Sequence, residues 1–391
     1  MYRCRVANRV VLHVGAPKTG TTFLQGVLFQ NRERLRALGV LVPGVSRREH
    51  GKAATGVRKG PASSKYADWE RLVAQTHSWP KTVVISNEWF SMAPSEHARL
   101  ALEDLGNTEK HIVFTARDFI DQVPSAWQET LKLGVSSTLE GFIKSLDAAD
   151  SGGEVLPDVA VMRDRWRWSV FDPAEVLDRW AADLPPDRLH VVTVPPRGAD
   201  PNLLWRRFAG LLGIDPDACE TKVDQTRQSV GVESARLLQE IGPVLRSAVG
   251  ADKGIGHEAF PWVRQYFSQE LLVPRGGRPI AMRQSEFAMI RERSHQSVQR
   301  VRAAGYDVVG DLLDLSSSAA APGARHPDGV TDRELLELAM PLLGDLLRRV
   351  REEYLRAEEA ERKATAVEPI AHRGQRGAQK RQRRPRGIWL V

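Results

Sequence analysis

An apolar run, a glycine turn and an amphipathic helix follow one another across residues 10–28, and no other stretch constrains the fold as strongly. Val10, Val11, Leu12, His13 and Val14 form a short, β-branched-rich segment of the kind that builds a buried strand. Gly15-Ala16-Pro17 ends it, and a helical pattern starts at Thr21-Thr22 and continues through Phe23, Leu24, Val27 and Leu28. Strand, turn and helix in so few residues is the opening of a βαβ unit.

Later segments repeat the alternation. Thr82–Ile85, His111–Phe114 and Leu189–Val194 read as further buried strands, and amphipathic stretches at 97–105, 122–132, 174–182 and 203–212 read as helices between and after them. The spacing predicts an α/β fold, with a parallel β-sheet and helices on both faces. Residues 232–249 and 284–304 read as two more helices. Residues 316–330, rich in Ser, Ala, Pro and Gly, read as a linker. Residues 331–366 read as a C-terminal helical segment: Thr331-Asp332-Arg333-Glu334 has a capping-box arrangement, a leucine-rich stripe follows, and Pro341 predicts a kink or break.

Charge separates this body from its end. The formal net charge is +7, and the seven basic residues Arg373, Arg376, Lys380, Arg381, Arg383, Arg384 and Arg386 account for all of it. Residues 367–391 therefore read as a basic, disordered tail, with contact to nucleic acid or an anionic surface the alternative. No stretch approaches the roughly 18 apolar residues a membrane span needs. The N-terminal apolar run is broken by His13 and does not read as a secretory signal. Cys4 and Cys219 form no disulfide framework. Together these features predict a cytoplasmic protein.

The turn carries the chemistry. Gly15-Ala16-Pro17-Lys18-Thr19-Gly20-Thr21-Thr22 sits at a strand-to-helix junction, where unpaired N–H groups and the positive end of the helix dipole favour an anion. A nucleotide triphosphatase loop places its lysine after the second glycine. Here Thr21 takes that position, and Lys18 lies inside the loop.

In Pro17-Lys18-Thr19-Gly20-Thr21-Thr22 the sequence resembles the sulfotransferase family, whose 5′-phosphosulfate loop carries its lysine at this inner position. The resemblance implies a P-loop-like fold over about residues 1–315 and the cofactor 3′-phosphoadenosine 5′-phosphosulfate, with adenosine 3′,5′-bisphosphate as product and no metal. It implies cofactor contacts from Gly15, Pro17, Lys18, Thr19, Gly20, Thr21 and Thr22, and contact of Lys18 with the leaving phosphate oxygen. Family members also hold the 3′-phosphate with a strand-end arginine and a serine eight residues on. Arg117 and Ser125, in Arg117-Asp118-Phe119-Ile120-Asp121-Gln122-Val123-Pro124-Ser125-Ala126-Trp127-Gln128, have that spacing. An arginine fork suits a phosphate because it can bind two oxygens at once.

Two more stretches, Gln228–Leu238 and Gly305–Leu312, are similar to bacterial members. The chain lacks the R-K-G-x-x-G-x-W loop of many cytosolic members; Arg275-Gly276-Gly277-Arg278 is the nearest Gly/Arg segment.

Sulfonate transfer needs a group to take the acceptor proton. Glu88, just past the strand Thr82–Ile85, is the candidate base, and sulfotransferases acting on heparan-type sugars carry a glutamate in a similar place. His50 is the competing base. His50, Trp89 and Trp127 are candidate acceptor contacts, whereas His13 reads as a packed histidine. The Arg/Trp segment containing Arg163, Arg165, Trp166, Arg167 and Trp168 could hold an acidic or aromatic acceptor or act as a lid.

The expected activity is transfer of a sulfonate to a hydroxyl or amine of a small-molecule, carbohydrate or lipid acceptor. A P-loop-like phosphotransferase is the first alternative, with Asp118 the nearest Mg²⁺ ligand. A non-catalytic nucleotide or nucleic-acid binder is the second.

Overall fold

The structure is a computed structural model that describes residues 9–152, 166–223, 229–251, 258–316 and 319–366. Six strands form one sheet: β1 (Arg9–Gly15), β2 (Val40–Leu41), β3 (Thr82–Ser86), β4 (Glu109–Ala116), β5 (Leu189–Thr193) and β6 (Asp307–Val309). Their order is β2-β3-β1-β4-β5-β6, and every pairing is parallel. β2 and β6 escaped the sequence reading because two and three residues are too short to show a period.

Alternation along β1 explains why the sheet is covered on both sides. Val10, Leu12 and Val14 pack into one cluster with Ala53, Trp69, Leu177 and Trp180. Val11 belongs to a second cluster with Leu24, Leu28, Trp205 and Phe208. Strands buried on both faces need this near-continuous apolar composition. A register shift between His13 and Gly15 in the β1–β4 pairing ends the strand and redirects the chain into the turn.

The topology also marks a position. From β1 the chain runs to β2 and β3 on one side, then crosses to β4, β5 and β6 on the other. Strand order thus reverses between β1 and β4, and in open parallel sheets ligands bind beyond the strand C-termini at such a point. The glycine turn leaves β1 there, and Arg117 directly follows β4.

The chain divides into two compact units, Met1–Leu336 and Glu337–Val391. The division falls inside the helix Asp332–Ala366, later than the boundary expected at 315. Much of the expected linker 316–330 is tied into the first unit. Arg325 donates its N–H to the Pro279 carbonyl (2.9 Å) and accepts from Ala281 (2.8 Å), and its side chain pairs with Glu334 (2.6 Å). Thr331 and Glu334 form the expected capping box. The helix runs through Pro341 without breaking. The basic tail, Cys4, Arg163, Arg165 and Gln228 lie outside the described residues. No helix among the described residues is long and apolar enough to cross a membrane.

Candidate active site

Backbone conformation shapes the turn after β1. Gly15, Lys18 and Gly20 all have positive φ, at 123°, 68° and 82°. Gly20 is required twice over, since a Cβ there would also lie 2.5 Å from the Leu204 side chain. Lysine in the left-handed region costs about 1–2 kcal/mol. The strain is held in place because the Arg117 guanidinium donates to the Lys18 carbonyl at 3.3 Å. The result is a run of donors. The backbone N–H groups of Lys18, Thr19, Gly20, Thr21 and Thr22 bond to no acceptor among the described residues. They open the ten-residue helix Thr21–Gln30, whose dipole adds positive potential at the same end.

A buried polar network supports the turn from below. His13 reaches Ser86 Oγ on β3 through Nδ1 (2.8 Å) and Thr115 Oγ1 on β4 through Nε2 (3.2 Å). Thr115 donates to the Gly15 carbonyl (3.0 Å) and meets the Thr19 hydroxyl at 2.7 Å, while Thr19 donates to the Ala16 carbonyl at 2.6 Å. Three adjacent strands thereby fix the turn. His13 is fully buried, and desolvation pushes it down to about 3, with a backbone bond at Gly15 opposing. It stays neutral, as a packed histidine does. Thr19 is also fully buried, and its hydroxyl serves the interior.

The helix Phe119–Leu131 lies alongside. Gln122 donates to the Pro17 carbonyl at 2.8 Å, and Glu129 pairs with the Lys18 ammonium at 2.7 Å. Ser125 falls between them at helical spacing, and so on the same face. Arg117, 28% exposed, has Asp121 at 3.7 Å, and Asp121 also pairs with Arg197. Burial pulls the Arg117 guanidinium down from its ordinary value, against the pull of Asp121. Asp118 caps the helix through the Ile120 N–H (3.0 Å) and also meets Ser294 (3.2 Å) and Arg291 (3.4 Å). Its carboxylate is thus engaged structurally.

Glu88 begins the 3-10 turn Glu88–Met92 beyond β3. Its backbone packs against Gly15, and Gln25 of the first helix donates to its carboxylate at 3.0 Å. Neighbouring strand ends thus bring Glu88, Lys18 and Arg117 to the C-terminal end of the central strands β3, β1 and β4.

The other sequence candidates sit elsewhere. His50 is fully buried: Nε2 donates to the Pro43 carbonyl (2.8 Å) and Nδ1 accepts from the Ser86 N–H (3.1 Å). Both ring nitrogens serve backbone, and desolvation lowers its proton affinity, so His50 is a structural residue here and not a base or acceptor contact. Trp127 is likewise interior, with its indole donating to the Ser137 carbonyl at 2.9 Å; burial corrects its assignment to the acceptor. Trp89 is partly buried against the core. Trp166 and Trp168 are each 3% exposed and pack with Phe171. Gly277 lies against Gly231, where a Cβ would come within 2.8 Å, so the Arg275–Arg278 segment packs on the start of the helix Val232–Ala248.

Sequence reasoning missed Glu129 and Arg264. Arg264, on the π-helical segment Ala259–Leu272, meets Glu129 at 2.8 Å with its own side chain only 8% exposed. Burial alone would raise the Glu129 carboxyl, but Lys18, Arg264 and Lys132 together hold it well below the usual carboxylate range. The Glu129 end of the pair was readable as a fourth-residue repeat from Ser125; nothing local pointed to Arg264. No protein-family model matches this sequence, and no curated protein or solved structure matches it either.

Proposed function

We propose that this protein is a sulfotransferase of P-loop-like fold. It would transfer a sulfonate from 3′-phosphoadenosine 5′-phosphosulfate to a hydroxyl or amine of a small-molecule, carbohydrate or lipid acceptor. One observation carries the reading: five backbone N–H groups without an acceptor among the described residues lie at the β1 turn with Lys18, and Arg117 reaches that same turn from the end of β4.

The residues present fit the cofactor. A donor-rich turn with an ammonium suits the 5′-phosphosulfate, and a partly buried arginine at the end of β4, followed by the helix that carries Ser125, suits a second, separate phosphate. When bound, the cofactor supplies an activated sulfonate whose displacement releases adenosine 3′,5′-bisphosphate. Lys18 and the turn N–H groups meet the negative charge that grows on the leaving oxygen. Glu88 takes the proton from the attacking acceptor group, with Gln25 holding its carboxylate in place. Arg117 and Ser125 hold the 3′-phosphate.

A phosphotransferase reading has less support, because Asp118, its nearest Mg²⁺ ligand, is engaged with Ile120, Ser294 and Arg291. The test is direct: incubate the protein with 3′-phosphoadenosine 5′-phosphosulfate and a panel of alcohol, phenol, sugar and amine acceptors, and follow adenosine 3′,5′-bisphosphate. Acceptor-dependent release supports the reading. Absence of release across the panel, together with absence of binding, contradicts it.

A further inference from the structure

Lys18 has a carboxylate partner, and that partner has a second cation. Lys18 Nζ lies 2.7 Å from Glu129 Oε2, while Arg264 holds the other oxygen, Oε1, at 2.8 Å. The three side chains are 23%, 12% and 8% exposed. Arg264 is braced further by the Phe260 ring, 5.1 Å from its guanidinium carbon. Each Glu129 oxygen therefore has its own cation, and the carboxylate is anchored from the Arg264 side whatever Lys18 does.

We propose that Glu129 is a positioning residue that competes with anions for Lys18. This rests on reading the β1 turn as an anion site. Lys18 must share its single positive charge between Glu129 and an incoming phosphate or sulfonate, so binding there includes the cost of weakening the pair. An exchange of this kind favours a ligand with several negative charges over one with a single charge, because only the former outbids a fixed carboxylate. The arginine anchor matters for the same reason. It lets Glu129 release Lys18 without becoming a buried, unpaired charge.

Two variants separate this competition from a general charge effect. Glu129→Gln removes the competitor but also removes one negative charge near the turn and leaves Arg264 without its ion partner. The double variant Glu129→Gln with Arg264→Gln removes one charge of each sign, keeps side-chain size close, and leaves no orphan. Both free Lys18. Affinity for inorganic pyrophosphate and for adenosine 3′,5′-bisphosphate, measured by calorimetry on the full chain, should rise roughly twofold to fivefold in the double variant, the range expected for releasing one partly exposed ion pair. The single variant should bind at least as tightly as the double. Lys18→Ala added to the double variant should abolish the gain. Unchanged or weaker affinity in the double variant, with wild-type binding intact, overturns the role of Glu129 and leaves the anion site standing. If neither anion binds wild type or variants, the proposal and the reading of the turn fall together.

Discussion

The Glu88 backbone lies directly against Gly15: a Cβ built on that glycine would stand 3.0 Å from the Glu88 carbonyl oxygen and 3.2 Å from its Cα. The end of β1 and the turn after β3 are thus in contact at the one residue that has no side chain, with φ at 123°. Gly15→Ala should cost about 1–3 kcal/mol, since an alanine is strained at that φ and meets backbone that cannot swing away. Denaturant unfolding of the variant checks this. Stability equal to wild type would contradict the packing.

Glu88 is expected to act on the acceptor and not on the cofactor. Glu88→Gln should keep the hydrogen-bonding shape beside Gln25 while removing the base, so turnover should fall by roughly 10²–10⁴-fold with product affinity unchanged. Paired rate and calorimetric measurements test it. Retained turnover would move the base to another residue, and His50, with both nitrogens bound to backbone, is not that residue.

Acid should weaken the fold through His13. Its folded value is about 3, and the unfolded chain titrates at the ordinary value of 6.5. The unfolded state therefore binds more protons between those values. The stability gained by keeping His13 neutral is complete above 6.5 and is lost as pH falls toward 3. Near pH 5 this one group should contribute about 1.4 kcal/mol per pH unit to the slope of unfolding free energy. His50, lowered by the same burial, acts in the same direction. In His13→Gln the slope at pH 5 should shrink by about that amount; an identical slope would show that His13 is not buried neutral.

The β1 strand, the turn and the helix behind it were legible because each is a local pattern: β-branched residues, then glycines, then a 3.6-residue repeat from Thr21. The strand ends holding Glu88 and Arg117 were legible for the same reason. His50 and Trp127 were misassigned because burial is decided by what packs on them from afar: Phe29 stacks on the edge of His50 at 4.9 Å, and the Trp127 indole is held by Ser137. Arg264 was beyond reach. It meets Glu129 across 135 residues of chain, from a π-helical segment that carries no ordinary helical period. Gln25 read only as part of a helix, and its contact with Glu88 exists because β1 and β3 are neighbours.

Lys18 should matter more to rate than to binding. The charge it meets grows as the leaving oxygen departs, so Lys18→Ala should lose on the order of 10²-fold or more in turnover. Affinity should change less, because the turn N–H groups remain and Glu129 no longer competes for an ammonium. Steady-state rates and calorimetric affinity for adenosine 3′,5′-bisphosphate separate the two; unchanged turnover in a folded variant would remove Lys18 from the chemistry.

The 3′-phosphate tests the central claim most directly. Arg117 sits between the Lys18 carbonyl and Asp121, partly buried, at the end of β4 and in contact with the turn. If it and Ser125 hold the 3′-phosphate, a ligand lacking that group forfeits a charge-assisted contact worth about 2–3 kcal/mol. The measurement is the calorimetric affinity of wild type and Arg117→Ala for adenosine 3′,5′-bisphosphate and for adenosine 5′-monophosphate. The account predicts a preference of roughly 30-fold or more for the bisphosphate in wild type, with most of it gone in Arg117→Ala. Equal affinity for the two ligands in wild type would contradict it.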